Sequence, residues 1–133
     1  MATSIDGFVA KKDGDSDWVS EIDSVNFENQ MKEKGCIIVG NRTFEQYQDE
    51  LYPVEGIANI VLTNDNRKES KFSNVFFVNS PQKAIQKAIL LKHTKALLIC
   101  GGTTNGLFLK ENLIDEIILS VHPLILGDGI KFV

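Results

Sequence analysis

The sequence predicts an α/β domain with a largely parallel central sheet and helices on both faces. Apolar runs of strand length at residues 36–39, 59–63, 75–78 and 96–100 alternate with segments of helical periodicity, which is the pattern of βαβ units. The run at 96–100 is unbroken and ends in Gly101-Gly102, followed by Thr103, Thr104 and Asn105 and a second apolar run that suits a helix. The run at 36–39 repeats this plan, passing through Gly40, Asn41, Arg42 and Thr43 into a short helix that carries Phe44 and Tyr47.

Taken in order, residues 1–10 read as a first strand interrupted by the turn-favouring pair Asp6-Gly7. A polar loop at 11–17 ends at Trp18, the only tryptophan. Ile22, Val25 and Met31 give residues 21–34 a modest helical periodicity, which Gly35 stops. Pro53 and Gly56 mark an irregular connection to the strand at 59–63, and the polar run 64–68 follows it. After the strand at 75–78, Ser80 caps a helix with Pro81 at its first position, and Ala84, Ile85, Ala88 and Ile89 recur along it to Lys92. Residues 113–121 carry a further strand, and His122-Pro123 leads to the turn Gly127-Asp128-Gly129.

With 133 residues, 43% of them hydrophobic, the chain is expected to form one soluble domain. The strand that starts abruptly at 1–4 and the apolar stretch beginning at 131–133 suggest a domain lacking part of its first strand and its C-terminal strands. A net charge of −4 without a basic cluster argues against nucleic acid and anionic membranes and in favour of a small-molecule ligand. Cys36 and Cys100 lie in apolar runs and read as buried, reduced thiols, and the isolated His93 and His122 indicate no metal site. No leader or bilayer-length apolar run is visible, so the expected location is cytoplasmic.

In open parallel sheets, ligands gather beyond the carboxyl ends of the strands, where Gly40, Thr63 and Gly101 fall. Glycine lets the main chain approach a ligand, and the unpaired N–H groups of a helix start attract phosphate. A bare Gly-Gly pair alone reads first as a tight βα turn; three polar strand ends on one edge favour binding.

Several short patterns resemble the dihydrofolate-reductase-like superfamily, and above all the reductase domain at the C-terminus of the bifunctional deaminase-reductase of riboflavin biosynthesis. They are Ser4-Ile5-Asp6-Gly7, Gly14 through Ser20 with Trp18, Val39-Gly40-Asn41-Arg42-Thr43, Leu62-Thr63, Cys100-Gly101-Gly102, Leu113-Ile114-Asp115-Glu116 and Pro123 through Gly129. Their order and spacing span nearly the whole chain. The resemblance implies a three-layer dihydrofolate-reductase-like fold and an NADPH-dependent reductase. By position, Gly40, Arg42 and Thr43 would meet cofactor phosphates and Thr63 and Asn64 would follow the adenosine half. Gly101, Gly102, Thr103, Thr104 and Asn105 would hold the pyrophosphate, and Ala2 would lie against the nicotinamide. Thr3, Ser4, Asp6, Trp18 and Asp23 would face the substrate. The family usually carries a basic residue directly after the glycine of the second unit, where this chain has Asn41. Arg42 stands one residue later, about 100° around a helix, and Arg67 or Lys68 could take over its contact with the 2′-phosphate.

Hydride transfer belongs to the nicotinamide, which leaves the protein to position the acceptor, exclude water and supply a proton. Asp23, five residues after Trp18, resembles the single active-site carboxylate of dihydrofolate reductases. Beside a buried substrate it would hold its proton more tightly and could act as the catalytic acid; an acid this early in a helix equally serves the helix dipole. Trp18 is a lid or core anchor, Asp6 shapes its turn, and His122 suits a structural hydrogen bond. The implied activity is reduction of the 5-amino-6-(5-phosphoribosylamino)uracil type, with dihydrofolate reduction or a non-catalytic nucleotide-binding domain as alternatives. The resembled family tends to pair through a sheet edge, so a homodimer is expected. Replacing Gly102 by Val is expected to weaken NADPH binding and leave the fold largely intact.

Overall fold

The computed structural model describes residues 1–65 and 67–133; Asn66, within the polar run after the third predicted strand, lies outside them. In chain order the elements are β1 (Ala2–Ser4), β2 (Phe8–Ala10), α1 (Glu21–Lys34), β3 (Cys36–Gly40), α2 (Asn41–Gln46), β4 (Ala58–Leu62), β5 (Val75–Val78), α3 (Pro81–Leu90), β6 (Leu97–Ile99), α4 (Gly102–Lys110), β7 (Ser120–His122) and β8 (Ile130–Lys131). They divide into two compact units, one formed by residues 30–100 and the other by residues 1–29 with 101–133.

The 30–100 unit holds a four-stranded sheet in the order β5-β4-β3-β6, parallel throughout. This is the mainly parallel sheet with helices that the alternation predicts. Its centre is dry: Cys36, Ile37, Ile38, Val39, Ile60 and Val61 are each no more than 2% exposed. Two covered faces explain why β3 reads as a continuous apolar run. α3 starts as expected, with Ser80 Oγ accepting the Lys83 N–H and Pro81 at the first position. It lies against β4 and buries Ala84 and Ala88, whereas Ile89 is exposed. α2 lies against β3 and β4 and buries Phe44, whose ring stacks on Tyr52 at 5.6 Å.

Two amides organise the connection into β4. Asn59, fully buried, accepts the Val54 N–H on Oδ1 at 2.8 Å and donates from Nδ2 to the carbonyls of Val54 and Ile57 at 2.9 and 3.0 Å. Asn74 Nδ2 donates to the same two carbonyls. Gly35, at φ 67°, ends α1 in the left-handed conformation that glycine adopts without a Cβ penalty. The expected apolar face of α1 is only partly realised, because Met31 is buried while Ile22 and Val25 are exposed.

The second unit contains two short pairings. β1 runs parallel to β7 with Ser4 opposite His122, and β2 runs antiparallel to β8 with an irregularity between Phe8 and Ala10. The strand expected over 113–121 is confined to Ser120–His122, because β1 offers only three residues to pair with. A strand is a ladder before it is a propensity; Ile117, Ile118 and Leu119 have strand-forming side chains but no ladder among the described residues, and they are exposed. α4 begins on Gly101 without a side-chain cap, so Thr103 and Thr104 sit inside its first turn instead of capping it. Phe108 and Asn105 are its buried residues.

Asp6 closes this unit over a long span of chain. Its carboxylate accepts the N–H groups of Leu126 and Gly127 at 3.2 and 2.7 Å, 120 and 121 residues away. The Ser4 hydroxyl first, and then these N–H groups, hold the Asp6 carboxyl below its ordinary value of 3.8. A carboxylate depressed in the folded state stabilises above its unfolded pKa, and that stability is lost as pH falls through the folded value. Melting temperatures followed from about pH 6 down to pH 2 should therefore fall more steeply for wild type than for Asp6→Asn. Parallel curves would show that the clamp contributes nothing to acid stability.

Candidate functional site

The geometry of the parallel sheet determines where a ligand can approach the 30–100 unit. Gly40 pairs with Leu62, Val39 with Ile99, and Leu62 with Val78, so the carboxyl ends of all four strands lie along one edge. At the β4 and β5 ends of that edge is a cavity of about 190 Å³ lined by Thr63, Asp65, Lys68, Phe77, Val78, Asn79 and Lys83. It is smaller than the roughly 300–1,000 Å³ of pockets that enclose a whole drug-sized ligand, so it suits one end of an extended molecule. Thr63 and Asn64, expected along the adenosine half, lie at this end of the sheet, Thr63 buried and Asn64 exposed. Thr63 Oγ1 accepts the Asp65 N–H at 3.2 Å.

Phe77, Val78, Asn79 and Lys83 are cavity residues to which the sequence reading assigned no ligand contact. The signal was available: residues 78–79 end a parallel strand, as Thr63 and Gly101 do. Phe77 is half-buried, with Phe44 against it edge-on at 6.3 Å and Lys68 Nζ 5.6 Å from its centroid.

At the neighbouring strand end, Gly40 precedes α2 in extended conformation with no side-chain cap. α2 is six residues long, so its dipole offers less to a phosphate than the glycine-and-helix reading implies. Asn41 and Thr43 are half-buried and Arg42 is exposed. Asn41 Oδ1 accepts a hydrogen bond from Lys68 Nζ at 2.7 Å, and the same ammonium pairs with Glu45.

Cys100 follows β6 and the chain passes directly into Gly101. A Cβ built on Gly101 would meet nothing within 4 Å, whereas one on Gly102 would lie 2.6 Å from the main-chain oxygen of Lys131. This corrects the expected behaviour of Gly102→Val, since Gly102 is constrained by packing of its own fold. Asn105 Nδ2 donates to the Phe132 carbonyl at 2.9 Å, tying α4 to the same segment. Thr103 is exposed and Thr104 half-buried.

The residues expected near the nicotinamide and substrate all belong to the other unit. Ala2 lies in β1 beside Thr3 and Ser4, both of which are buried. Thr3 Oγ1 donates to the carbonyls of Ser4 and Phe8, and Ser4 Oγ accepts the Phe8 N–H at 2.9 Å, so these hydroxyls shape the β1–β2 turn. Asp23 is half-buried in the first turn of α1, where its N–H reaches Ser20 Oγ. The terminal ammonium of Met1 donates to the Ile118 carbonyl at 2.7 Å; burial lowers its pKa and the charge of Asp23 opposes that. Trp18 packs edge-on against His122 at 5.3 Å, and its indole N–H is buried without a partner among the described residues. His122 Nε2 accepts the Ser20 N–H at 3.1 Å and Nδ1 faces the Ser120 carbonyl at 3.2 Å, the structural role expected of it. No cluster of potential metal ligands occurs among the described residues, and no described helix is long and apolar enough to cross a membrane.

The model of the RibD C-terminal domain matches residues 1–90 and 54–133, and the two matches together span the sequence. The chain belongs to the RibD C-terminal domain family. The chain is similar to the uncharacterised protein YwjB of Bacillus subtilis strain 168, with 28% identity over 137 residues covering 98% of this chain and 78% of that protein. A solved structure named Putative riboflavin biosynthesis protein, from Shewanella sp. PV-4, superposes with a TM-score of 0.77 at 26% identity, covering 99% of this chain and 79% of that one. RibD of Acinetobacter baumannii shares the fold, with a TM-score of 0.73 at 20% identity over 98% of this chain and 46% of its own. The dihydrofolate-reductase-like fold near the RibD C-terminal domain is thereby established, and the family supports a reductase-like function.

Proposed function

We propose that this chain is an NADPH-dependent reductase of a small heterocyclic metabolite, of the 5-amino-6-(5-phosphoribosylamino)uracil reductase type. The observation that carries the proposal is the aligned row of strand ends: Gly40, Thr63 and Asn79 follow or close three adjacent parallel strands beside a cavity with two lysines. A cofactor with an adenosine end and several phosphates fits that chemistry. Thr63 and Asn64 would hold the adenosine half, and Gly40, Arg42 and Thr43 the neighbouring phosphates. Gly101 leaves open space for a pyrophosphate, and Gly102 and Thr103 would supply first-turn N–H groups of a nine-residue helix, while Thr104, whose N–H already donates to the Gly101 carbonyl at 3.1 Å, would offer its hydroxyl. Ala2, with no side chain beyond Cβ, would let a flat ring lie against β1.

When bound, the cofactor would supply a hydride to the ribose C1′ carbon as the bond from C1′ to the ring oxygen breaks, and that oxygen would take up a proton to become a hydroxyl. Asp23 is the acid proposed to hold that proton. Trp18 would shield it from water. Thr3, Ser4 and Asp6 act by shaping the turn beneath the substrate. Dihydrofolate reduction is a second reading because of Asp23, and because 65% of the chain aligns at 27% identity with a bifunctional dihydrofolate reductase-thymidylate synthase of Plasmodium vinckei, covering 49% of that protein.

The deciding measurement is NADPH oxidation by purified protein with each acceptor in turn. Turnover of the phosphoribosylamino-pyrimidine, no reaction with dihydrofolate, and a loss of about 100-fold or more in Asp23→Asn are expected. Dihydrofolate turnover alone would transfer the assignment to the second reading. NADPH binding with neither acceptor reduced would leave a nucleotide-binding domain.

A further inference from the structure

Position 41 is the first residue after the Gly40 turn, and this chain places an amide there. A cation nevertheless stands at that position in space. Lys68, 27 residues away in sequence, brings Nζ to 2.7 Å from Asn41 Oδ1 and pairs with the Glu45 carboxylate one turn further along α2. The same lysine lines the cavity at the carboxyl ends of β4 and β5, and its ammonium lies over the Phe77 ring. The other nearby cations are placed differently. Arg42 is exposed, and Arg67 is 94% exposed and turned onto Asp65.

We infer that Lys68 recognises the 2′-phosphate of an NADP-type cofactor, reaching over Asn41 in place of a cation on α2, and that Glu45 competes for it. The inference rests on the proposed NADPH-reductase reading and assigns the residue that selects between the two nicotinamide dinucleotides. A phosphate monoester carries between about one and a half and two negative charges near neutral pH, more than a carboxylate. It therefore draws Lys68 from Glu45 more strongly than an uncharged ribose 2′-hydroxyl does. Glu45 stays ionised at neutral pH, because the Lys68 hydrogen bond above all holds its carboxyl below the ordinary value. That carboxylate repels the incoming phosphate and limits the preference. Lys83 lines the same cavity and contributes positive charge without touching Asn41 or Glu45 in the described contacts.

Calorimetric titration of NADPH and NADH into wild type, Lys68→Met, Lys68→Arg, Lys83→Met and Glu45→Gln tests this through the ratio of the two affinities. Lys68→Met should weaken NADPH about 10–100-fold, the range of one charge-assisted hydrogen bond, and leave NADH within about twofold. Retained NADH binding also shows that the variant is folded. Lys68→Arg should keep most of the preference, and Glu45→Gln should raise it. An unchanged NADPH-to-NADH ratio in Lys68→Met, or loss of the ratio in Lys83→Met instead, overturns the inference and leaves the reductase reading standing. Wild-type protein that binds neither dinucleotide overturns both.

Discussion

Gly102→Val is expected to lower the melting temperature by roughly 10 °C, the effect of about 2–4 kcal/mol on a domain of this length. The cause is steric. A Cβ at this position would stand 2.6 Å from the Lys131 main-chain oxygen, and β8 can move away only by breaking its pairing with β2. Asn105, whose amide reaches the Phe132 carbonyl, would be strained by the same shift. Any loss of cofactor affinity in this variant would follow from disturbed packing. Gly101→Val separates the two effects, because its Cβ would have no atom within 4 Å and its φ of −75° suits any residue. It should melt within a degree or two of wild type, yet bind NADPH about tenfold or more weakly, because the added side chain fills space that the pyrophosphate is proposed to use. Differential scanning calorimetry on both variants, with NADPH titration of Gly101→Val, makes the comparison. A Gly102→Val protein as stable as wild type would contradict the steric account; full NADPH affinity in Gly101→Val would remove Gly101 from the site.

What could be read from the sequence was local. Ser80, Pro81, Ala84 and Ala88 predict α3 because capping, first-turn proline and burial spacing all lie within one stretch of chain. The runs at 36–39 and 75–78 predict β3 and β5 because strands in a covered parallel sheet are apolar whichever way a side chain points. The errors arise where a residue's role is decided by something distant. Ile22, Val25 and Ile89 have helical spacing, but spacing cannot say whether another element covers them, and all three are exposed. Residues 117–119 have strand-forming side chains, but pairing is decided by the three residues of β1. Gly102 looks like a flexible turn until Lys131 is placed beside it.

The candidate site divides in the same way. Gly40, Thr63 and Gly101 were legible as strand ends, because a parallel sheet has only one carboxyl edge. Asn41 looked like a defect in the pattern. Lys68 was one of two residues able to stand in for a cation there; that Lys68 and not Arg67 reaches Asn41 is decided by packing from beyond another strand, which no window of local sequence contains. Asp6 and Gly127 are a similar case, being a turn residue and a loop residue that the chain brings together across 121 positions. Side chains that had been set aside for a ligand, such as Thr3, Ser4 and Asn105, also prove to be partners of main-chain groups, and this explains why hydroxyls and an amide are buried at those places.

Asn59→Asp should be among the most damaging single substitutions although it replaces one atom by another of similar size. Asn59 is completely buried, and its Nδ2 donates to two carbonyl oxygens, of Val54 and Ile57. An aspartate would put an acceptor where a donor is required, so three oxygens would face one another in a dry interior. Burying an uncompensated charge costs about 3–5 kcal/mol, a large share of the roughly 5–15 kcal/mol that holds a typical domain together. Asn74 softens the loss but cannot cancel it, because its own Nδ2 already serves both carbonyls. The pH dependence carries the diagnosis. Burial raises the pKa of an introduced carboxyl in the folded state, so the variant keeps most of its stability below the unfolded carboxylate pKa and loses it as pH rises through the folded value. Asn59→Asp should therefore be closer to wild type at about pH 4 than at pH 7. Asn59→Leu, which instead leaves the Val54 N–H without its acceptor, should lose about 2–4 kcal/mol with little dependence on pH. Denaturant melts of both variants at the two pH values check this. An Asn59→Asp protein with the same deficit at both would show that the carboxylate escapes to water and that the amide network is not what anchors the entry to β4.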